Sequence, residues 1–261
     1  MNIACTDQDR YLTNKRAWTD EVVKMGFSHM EIAVSKLPES FSEQEEILAY
    51  ALSRGLSLNL HAPYGINNIS SSDELRRAAS IANVKHTIDL AAKYRLGTVT
   101  FHPGRCSDDR DPPEENWKRM MDVIEDLAGY AKEKKVFLGI ENMERRPYEL
   151  VFTVEDLNRF APFGEHNPYF GVTIDFAHYA SHPFGLPDLN KLKLPIHNVH
   201  LSQIVNGVMH SSLIRGNDAP DLKAVCRLLA DYGYNRSVVL ELDNVSESRT
   251  ILQEAEQAAK R

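Results

Sequence analysis

Six residues able to do metal or acid–base chemistry, His61, His102, Glu141, Asp175, His200 and Glu241, each close a short apolar run. The stretch 169–178 shows the pattern most plainly: the run YFGVTI stops on Asp175, and His178 follows three residues later. A buried strand ending on a carboxylate and an imidazole costs free energy unless both find partners. Taken alone, Asp175 reads equally well as the cap of a following helix, with His178 on the surface. The pattern, however, recurs after 56–60, 98–101, 136–140, 195–199 and 237–240. Random placement rarely ends so many consecutive strands on His, Asp or Glu.

The residue types suit a divalent cation. Glu141, Asp175, His200 and Glu241 offer oxygen-rich ligation with one imidazole, appropriate to Mn²⁺, Co²⁺, Fe²⁺ or Zn²⁺, and no thiolate selects zinc. Three carboxylates within a few Å repel one another and stay partly protonated unless a cation neutralises them. These four are the expected ligands, with His200 open to the alternative of orienting a ligand instead of binding. His61 and His102 suit a second metal or the substrate, or are simply hydrogen-bonded in loops beside a proline. His178, one turn beyond Asp175, is expected to face the same pocket. His210 and Arg215 follow the run 195–199, and Arg215–Gly216 suits a hydroxyl, carboxylate or phosphate, a surface loop charge being the bland alternative. Glu31 reads as a structural carboxylate, with a reach to the mouth as the alternative, and Trp117 reads as packing in preference to substrate binding.

The elements that must position these residues alternate. Short strands are expected at 2–5, 28–34, 56–60, 98–101, 136–140, 169–174, 195–199 and 237–240. Helices are expected at 12–25, 42–55, 71–96, from 112 to the charge run 132–135, briefly after Thr153, at 218–232 and at 246–260. Ser42 with Glu45, and Ser71 with Glu74, have capping-box spacing, and Thr153 with Asp156 caps the short helix. Gly26, Gly55, Gly97 and Gly233 stop helices. Strand–helix alternation implies parallel strands with right-handed crossovers. Eight units in 261 residues fit an α/β fold of the (β/α)8 TIM barrel type, a single domain over residues 1–261. A doubly wound sheet is the alternative, but no GxGxxG follows the first strand. In a barrel every strand end points to one mouth, so residues spread along the chain converge.

Composition narrows the function further. Hydrophobic residues at 43% and charged residues at 26% describe a globular protein. A net charge of −7 argues against nucleic acid as the partner. Cys5, Cys106 and Cys226 are far apart, with no CxxC pair, which fits a reducing, cytoplasmic compartment. No signal peptide or membrane span is expected.

The motifs resemble a family. His61–Ala62–Pro63–Tyr64 with Asn67, Phe101–His102–Pro103–Gly104, Ile140–Glu141–Asn142, Ile174–Asp175–Phe176–Ala177–His178, Val199–His200–Leu201 and Leu240–Glu241 resemble, in the family's order, the xylose-isomerase-like TIM barrels. That superfamily holds sugar isomerases and epimerases and the AP endonucleases of the endonuclease IV type. In the first branch the resemblance implies one Mn²⁺-like ion on Glu141, Asp175, His200 and Glu241, with His178 and Arg215 at substrate-binding positions. Glu141 and Glu241 then act as the proton-transferring pair on a small polyhydroxy carbonyl substrate. In the second, three zinc ions take nine ligands with Glu141 bridging two. His61, His102, Glu141, Asp175, His178, His200, His210 and Glu241 match, while the ninth position, an Asp in that branch, is Val208 here. His61, His102, His178, His210 and Arg215 are accordingly the substrate-binding candidates of the isomerase reading. The resemblance also implies a homodimer or homotetramer.

Overall fold

Within most strands, apolar side chains alternate with small or polar ones, and cross-barrel hydrogen bonds identify the second set as inward. Asn198 Nδ2 donates to Thr100 Oγ1 (3.1 Å), Thr100 Oγ1 lies 2.9 Å from Thr173 Oγ1, and Asn59 Nδ2 donates to Asn198 Oδ1 (3.2 Å). Their neighbours Leu58, Leu60, Val99, Phe101, Val172, Ile174, Val199 and Leu201 face the helices and build the main core. The period of two, imposed by the pleat, thus sorts the sequence into an apolar outer layer and a polar interior. The last inward residue of a strand is therefore the polar group that ends it.

The computed structural model describes residues 2–6 and 14–260. Its barrel strands are β1 (Asn2–Thr6), β2 (His29–Ala33), β3 (Ser57–His61), β4 (Thr98–Phe101), β5 (Phe137–Glu141), β6 (Phe170–Asp175), β7 (Ile196–Leu201) and β10 (Ser237–Leu240). Every neighbouring pair is parallel and the sheet closes on itself, in the order β1-β10-β7-β6-β5-β4-β3-β2. Around it lie α1 (Lys15–Lys24), α2 (Phe41–Ser53), α3 (Glu74–Tyr94), α4 (Pro113–Lys134), the short α5 (Val154–Asn158), α6 (Ala161–Gly164) and α7 (Phe176–Ala180), then α8 (Leu222–Tyr232) and α9 (Val245–Ala259). This is the expected (β/α)8 barrel. The expected start of the first helix at residues 12–13 lies outside the described residues. Trp117 packs as expected, buried against Phe160 and under the Arg159 guanidinium.

Local details differ from the expected ones. The α3 cap is Asp73, whose Oδ1 accepts from Leu75 and Arg76 N–H, and not Ser71; the nearer carboxylate meets the orphan amides. The α2 cap position is Ser40, whose hydroxyl pairs with Ser42 and so makes no capping bond. The Thr153–Asp156 capping box is present as expected. A two-stranded hairpin, β8 (Gln203–Val205) and β9 (Val208–Ser211), fills what reads as a plain loop. Asn206 and Gly207, both at positive φ (52° and 78°), make its turn, the conformation that Asn-Gly tolerates best.

Candidate active site

The strand ends meet at the mouth around one buried carboxylate. Glu141, 1% exposed at the end of β5, lies between four imidazoles. His61 Nε2 and His102 Nε2 stand 3.3 and 3.2 Å from its Oε2, and His200 Nδ1 and His178 Nδ1 stand 3.0 and 3.8 Å from its Oε1. Glu241 Oε2 reaches the same His200 Nδ1 at 3.1 Å and lies 3.9 Å from His210 Nδ1. Asp175 serves two ends at once. Its Oδ1 caps α7 by accepting from His178 N–H (2.6 Å), while its Oδ2 is buried without a hydrogen-bond partner. Asp175 therefore caps the helix as one reading expects, but His178 is buried and not on the surface, and the unpartnered oxygen suits a metal ligand.

Second partners set the tautomers. His61 Nδ1–H donates to the Ala62 carbonyl (2.8 Å), leaving Nε2 to face Glu141. His178 Nδ1–H donates to the Asn142 carbonyl (2.8 Å), leaving Nε2 free to ligate. His200 Nε2–H donates to Glu31 Oε1 (2.8 Å), which turns Nδ1 toward Glu141 and Glu241. Each is the carbonyl- or carboxylate-backed imidazole that metal sites use. Asn142 also clamps Asp175, accepting its N–H at 2.9 Å and donating to its carbonyl at 3.0 Å.

The charges are tightly interdependent. Burial pushes the Glu141 carboxyl up, but His200, with hydrogen bonds from His102 and His61, outweighs it and holds it well below the usual range. Glu241 is lowered for the same reason, by His200 against burial. Asp175 goes the other way: burial, then Glu141 and Glu241, raise it. Burial disfavours charge on His178 and His200, yet surrounding carboxylates raise both, His178 to about 9. His61 is raised by Glu141 against burial, and burial lowers His102. Protonated histidines here balance carboxylates, a task a divalent cation performs with the histidines neutral.

Three groups have ligand atoms close enough to share an ion: His61, His102 and Glu141; Asp175, His178 and His210; and Glu141, Asp175, His200 and Glu241, each within 4.8 Å. Donor set and orphaned oxygen both fit a metal. The structure thus gathers Glu141, Asp175, His200, Glu241, His61, His102, His178 and His210. It does not gather Arg215, which is bidentate to Glu254 of α9 (2.8 and 3.0 Å) and lines a groove between α8 and α9. The hairpin carries the chain back to the mouth at His210 and leaves Arg215 beyond it. Val208 is 61% exposed and supplies no ligand.

Sequence reasoning missed several parts of the mouth. Tyr64 stacks on His102 (centroids 5.6 Å, 26°) and meets His61 edge-on (5.2 Å). A cavity of about 310 Å³ joins Tyr64, His61, His210 and Glu241 to Thr6 and Lys36, and one of about 210 Å³ joins His102, His178 and Glu241 to Glu144 and Arg146. Glu31, expected to be structural, backs His200 directly. The polar residues after each strand were the available sign for Tyr64 and Arg146, since loops at this face build barrel sites.

A family model described as xylose isomerase-like TIM barrel matches residues 19–261. The chain belongs to this family. An uncharacterized protein of Methanocaldococcus jannaschii is 29% identical over 185 residues, 71% of this chain; the match spans 66% of that relative's length. Among solved structures, a D-tagatose 3-epimerase-like protein superposes with a TM-score of 0.82 at 18% identity, covering 100% of this chain and 98% of that one. The 3-keto-D-glucoside 4-epimerase of E. coli superposes with a TM-score of 0.80 at 18% identity, covering 97% and 99%. At that identity these likenesses of the xylose isomerase-like barrel concern the fold. Among the described residues no helix is long and apolar enough to cross a membrane.

Proposed function

We propose that the chain is a divalent-metal-dependent isomerase or epimerase of a sugar, sugar phosphate or keto-polyol. The observation that carries this reading is the shared grip of Glu141 and Glu241 on His200 Nδ1, at 3.0 and 3.1 Å, from two different strands. Two carboxylates converging on one metal cluster suit proton removal from, and return to, adjacent carbons or opposite faces of a substrate. Glu141, Asp175, His200 and Glu241 would hold Mn²⁺, Co²⁺ or Zn²⁺, which would supply Lewis-acid polarisation of a substrate carbonyl. The Glu241 side chain is 27% exposed and faces the cavity, whereas that of Glu141 is 1% exposed. Such unlike surroundings are what separates the affinities of an acid and a base for the proton. His61, His102, His178 and His210 line the mouth as holders of substrate oxygens, and Tyr64 supplies a flat apolar wall. The similar structures include sugar epimerases, which supports the substrate class.

A second reading is a zinc phosphodiesterase acting on abasic DNA. The three ligand clusters, with Glu141 in two of them, favour it. Val208 and the net charge of −7 weigh against it. Metal per chain, counted by mass spectrometry on protein purified without chelator or histidine tag, separates the two. About one ion exchangeable for Mn²⁺ or Co²⁺ supports proton transfer. Two or more tightly held zinc ions, with nicking of an abasic duplex lost in Glu141→Ala, support the phosphodiesterase.

A further inference from the structure

The mouth carries one arginine whose hydrogen-bonding fork is not used up. Arg146, on the segment after β5, lines the cavity of about 210 Å³ that also holds His102, His178, His210 and Glu241. Its Nη2 lies 2.7 Å from Glu144 Oε1, and its side chain is 64% exposed while that of Glu144 is 9% exposed. The buried carboxylate anchors one corner of the guanidinium. The remaining donors meet no protein acceptor among the described residues.

The other arginines near this face differ. Arg105 donates to the Gly65 carbonyl (2.6 Å) and faces Glu149 (3.8 Å). Arg119 is spent on the Ser70 carbonyl and on Asp111. Arg110 closes on Asp108 through Nε and Nη2 (3.5 and 2.9 Å). None of these three lines the two cavities of the mouth. A guanidinium fixed at one corner and open along its other edge is pre-organised for the two oxygens of a planar or tetrahedral oxyanion.

We propose that the substrate of this site carries an oxyanion, phosphate or carboxylate, and that Arg146 holds it, with Glu144 as its positioning residue. This rests on the proposed reaction only in placing the substrate in the same mouth. Glu144 bears on selectivity as well. It fixes the guanidinium and adds negative charge beside the cavity, so an anion must bind Arg146 on the edge away from it.

The test is calorimetric titration of the Mn²⁺-loaded full chain with three probes: D-xylulose, D-xylulose 5-phosphate and D-fructuronate. At least one anionic probe is expected to bind 10-fold or more tighter than the neutral ketose, and which one does so distinguishes phosphate from carboxylate. The preference is expected to survive in Arg110→Ala, to weaken in Glu144→Gln, and to fall below 2-fold in the Glu144→Gln/Arg146→Ala double variant. Removing both partners avoids a stranded buried carboxylate. If the double variant does not fold, Arg146→Lys gives the same reading, because it keeps the charge and loses the fork. Equal binding of all three probes by the unmodified chain overturns the proposal, as does a preference that persists without Arg146. Exchange of solvent deuterium into the ketose, read on the same samples, reports separately on the reaction: its absence with the preference intact removes the proton-transfer reading and leaves the oxyanion site standing.

Discussion

Glu31 and His200 form a buried hydrogen bond of 2.8 Å between β2 and β7, one layer below the mouth. It directs the other nitrogen of His200 at Glu141 and Glu241, and Asn198 holds Glu31 in turn, donating to its Oε2 at 2.7 Å. Glu31→Gln keeps the shape and removes the charge that stabilises the His200 N–H. Loss of such a backing carboxylate typically costs about 10–100-fold in metal affinity. Competition with a fluorescent chelator measures it; an unchanged dissociation constant would mean that His200 does not ligate.

Asn142 is the second positioning residue. Asn142→Ala removes both side-chain hydrogen bonds to the Asp175 backbone, and a stability loss of about 1–3 kcal/mol is expected. Urea denaturation measures this, and metal affinity should fall with it because Asp175 loses its fixed position. A variant as stable as the parent would show that the clamp carries no weight.

The pH dependence has a definite sign. His178 is raised from 6.5 to about 9 in the metal-free fold, so its proton contributes stability fully below about 6.5 and that contribution is lost as the pH rises through 9. Metal-free protein should therefore lose on the order of 3 kcal/mol across this window. Metal-loaded protein, in which the cation neutralises the Asp175, Glu141 and Glu241 charges that raise His178, should lose less. Differential scanning calorimetry of both forms at pH 6.5 and 9 checks the prediction, and parallel curves would refute it.

Arg215→Ala should leave metal binding and turnover within about 2-fold of the parent, since its guanidinium is bidentate to Glu254 outside the mouth. A raised KM with unchanged stability would return Arg215 to the substrate.

The barrel was legible because its strands alternate apolar and polar residues and end on the inward polar one, a pattern visible within a few residues. The gathering of Glu141, Asp175, His200 and Glu241 followed from topology alone, as every strand end shares one face. What stayed hidden depends on contacts across the barrel. Nothing near Glu31 indicates that His200, 169 positions later, is its partner. The same holds for Arg146, whose spare donors become apparent only beside Glu144. Asn206–Gly207 was a readable hairpin sign, and with it the turn that brings His210 to Glu241 and carries Arg215 away. The caps of α2 and α3 failed as expectations because the Ser40 and Ser42 hydroxyls pair with each other at α2 and the Asp73 carboxylate takes the amides at α3.

The most direct measurement is deuterium wash-in. Metal-loaded protein in deuterated water, offered ketoses and their phosphates, should place solvent deuterium at the α-carbon of at least one. The incorporation should vanish on metal removal and in Glu241→Gln, which keeps the fold. Incorporation undiminished in Glu241→Gln would remove that residue from the chemistry. No incorporation from any ketose, alongside nicking of an abasic duplex, would contradict the isomerase reading as a whole.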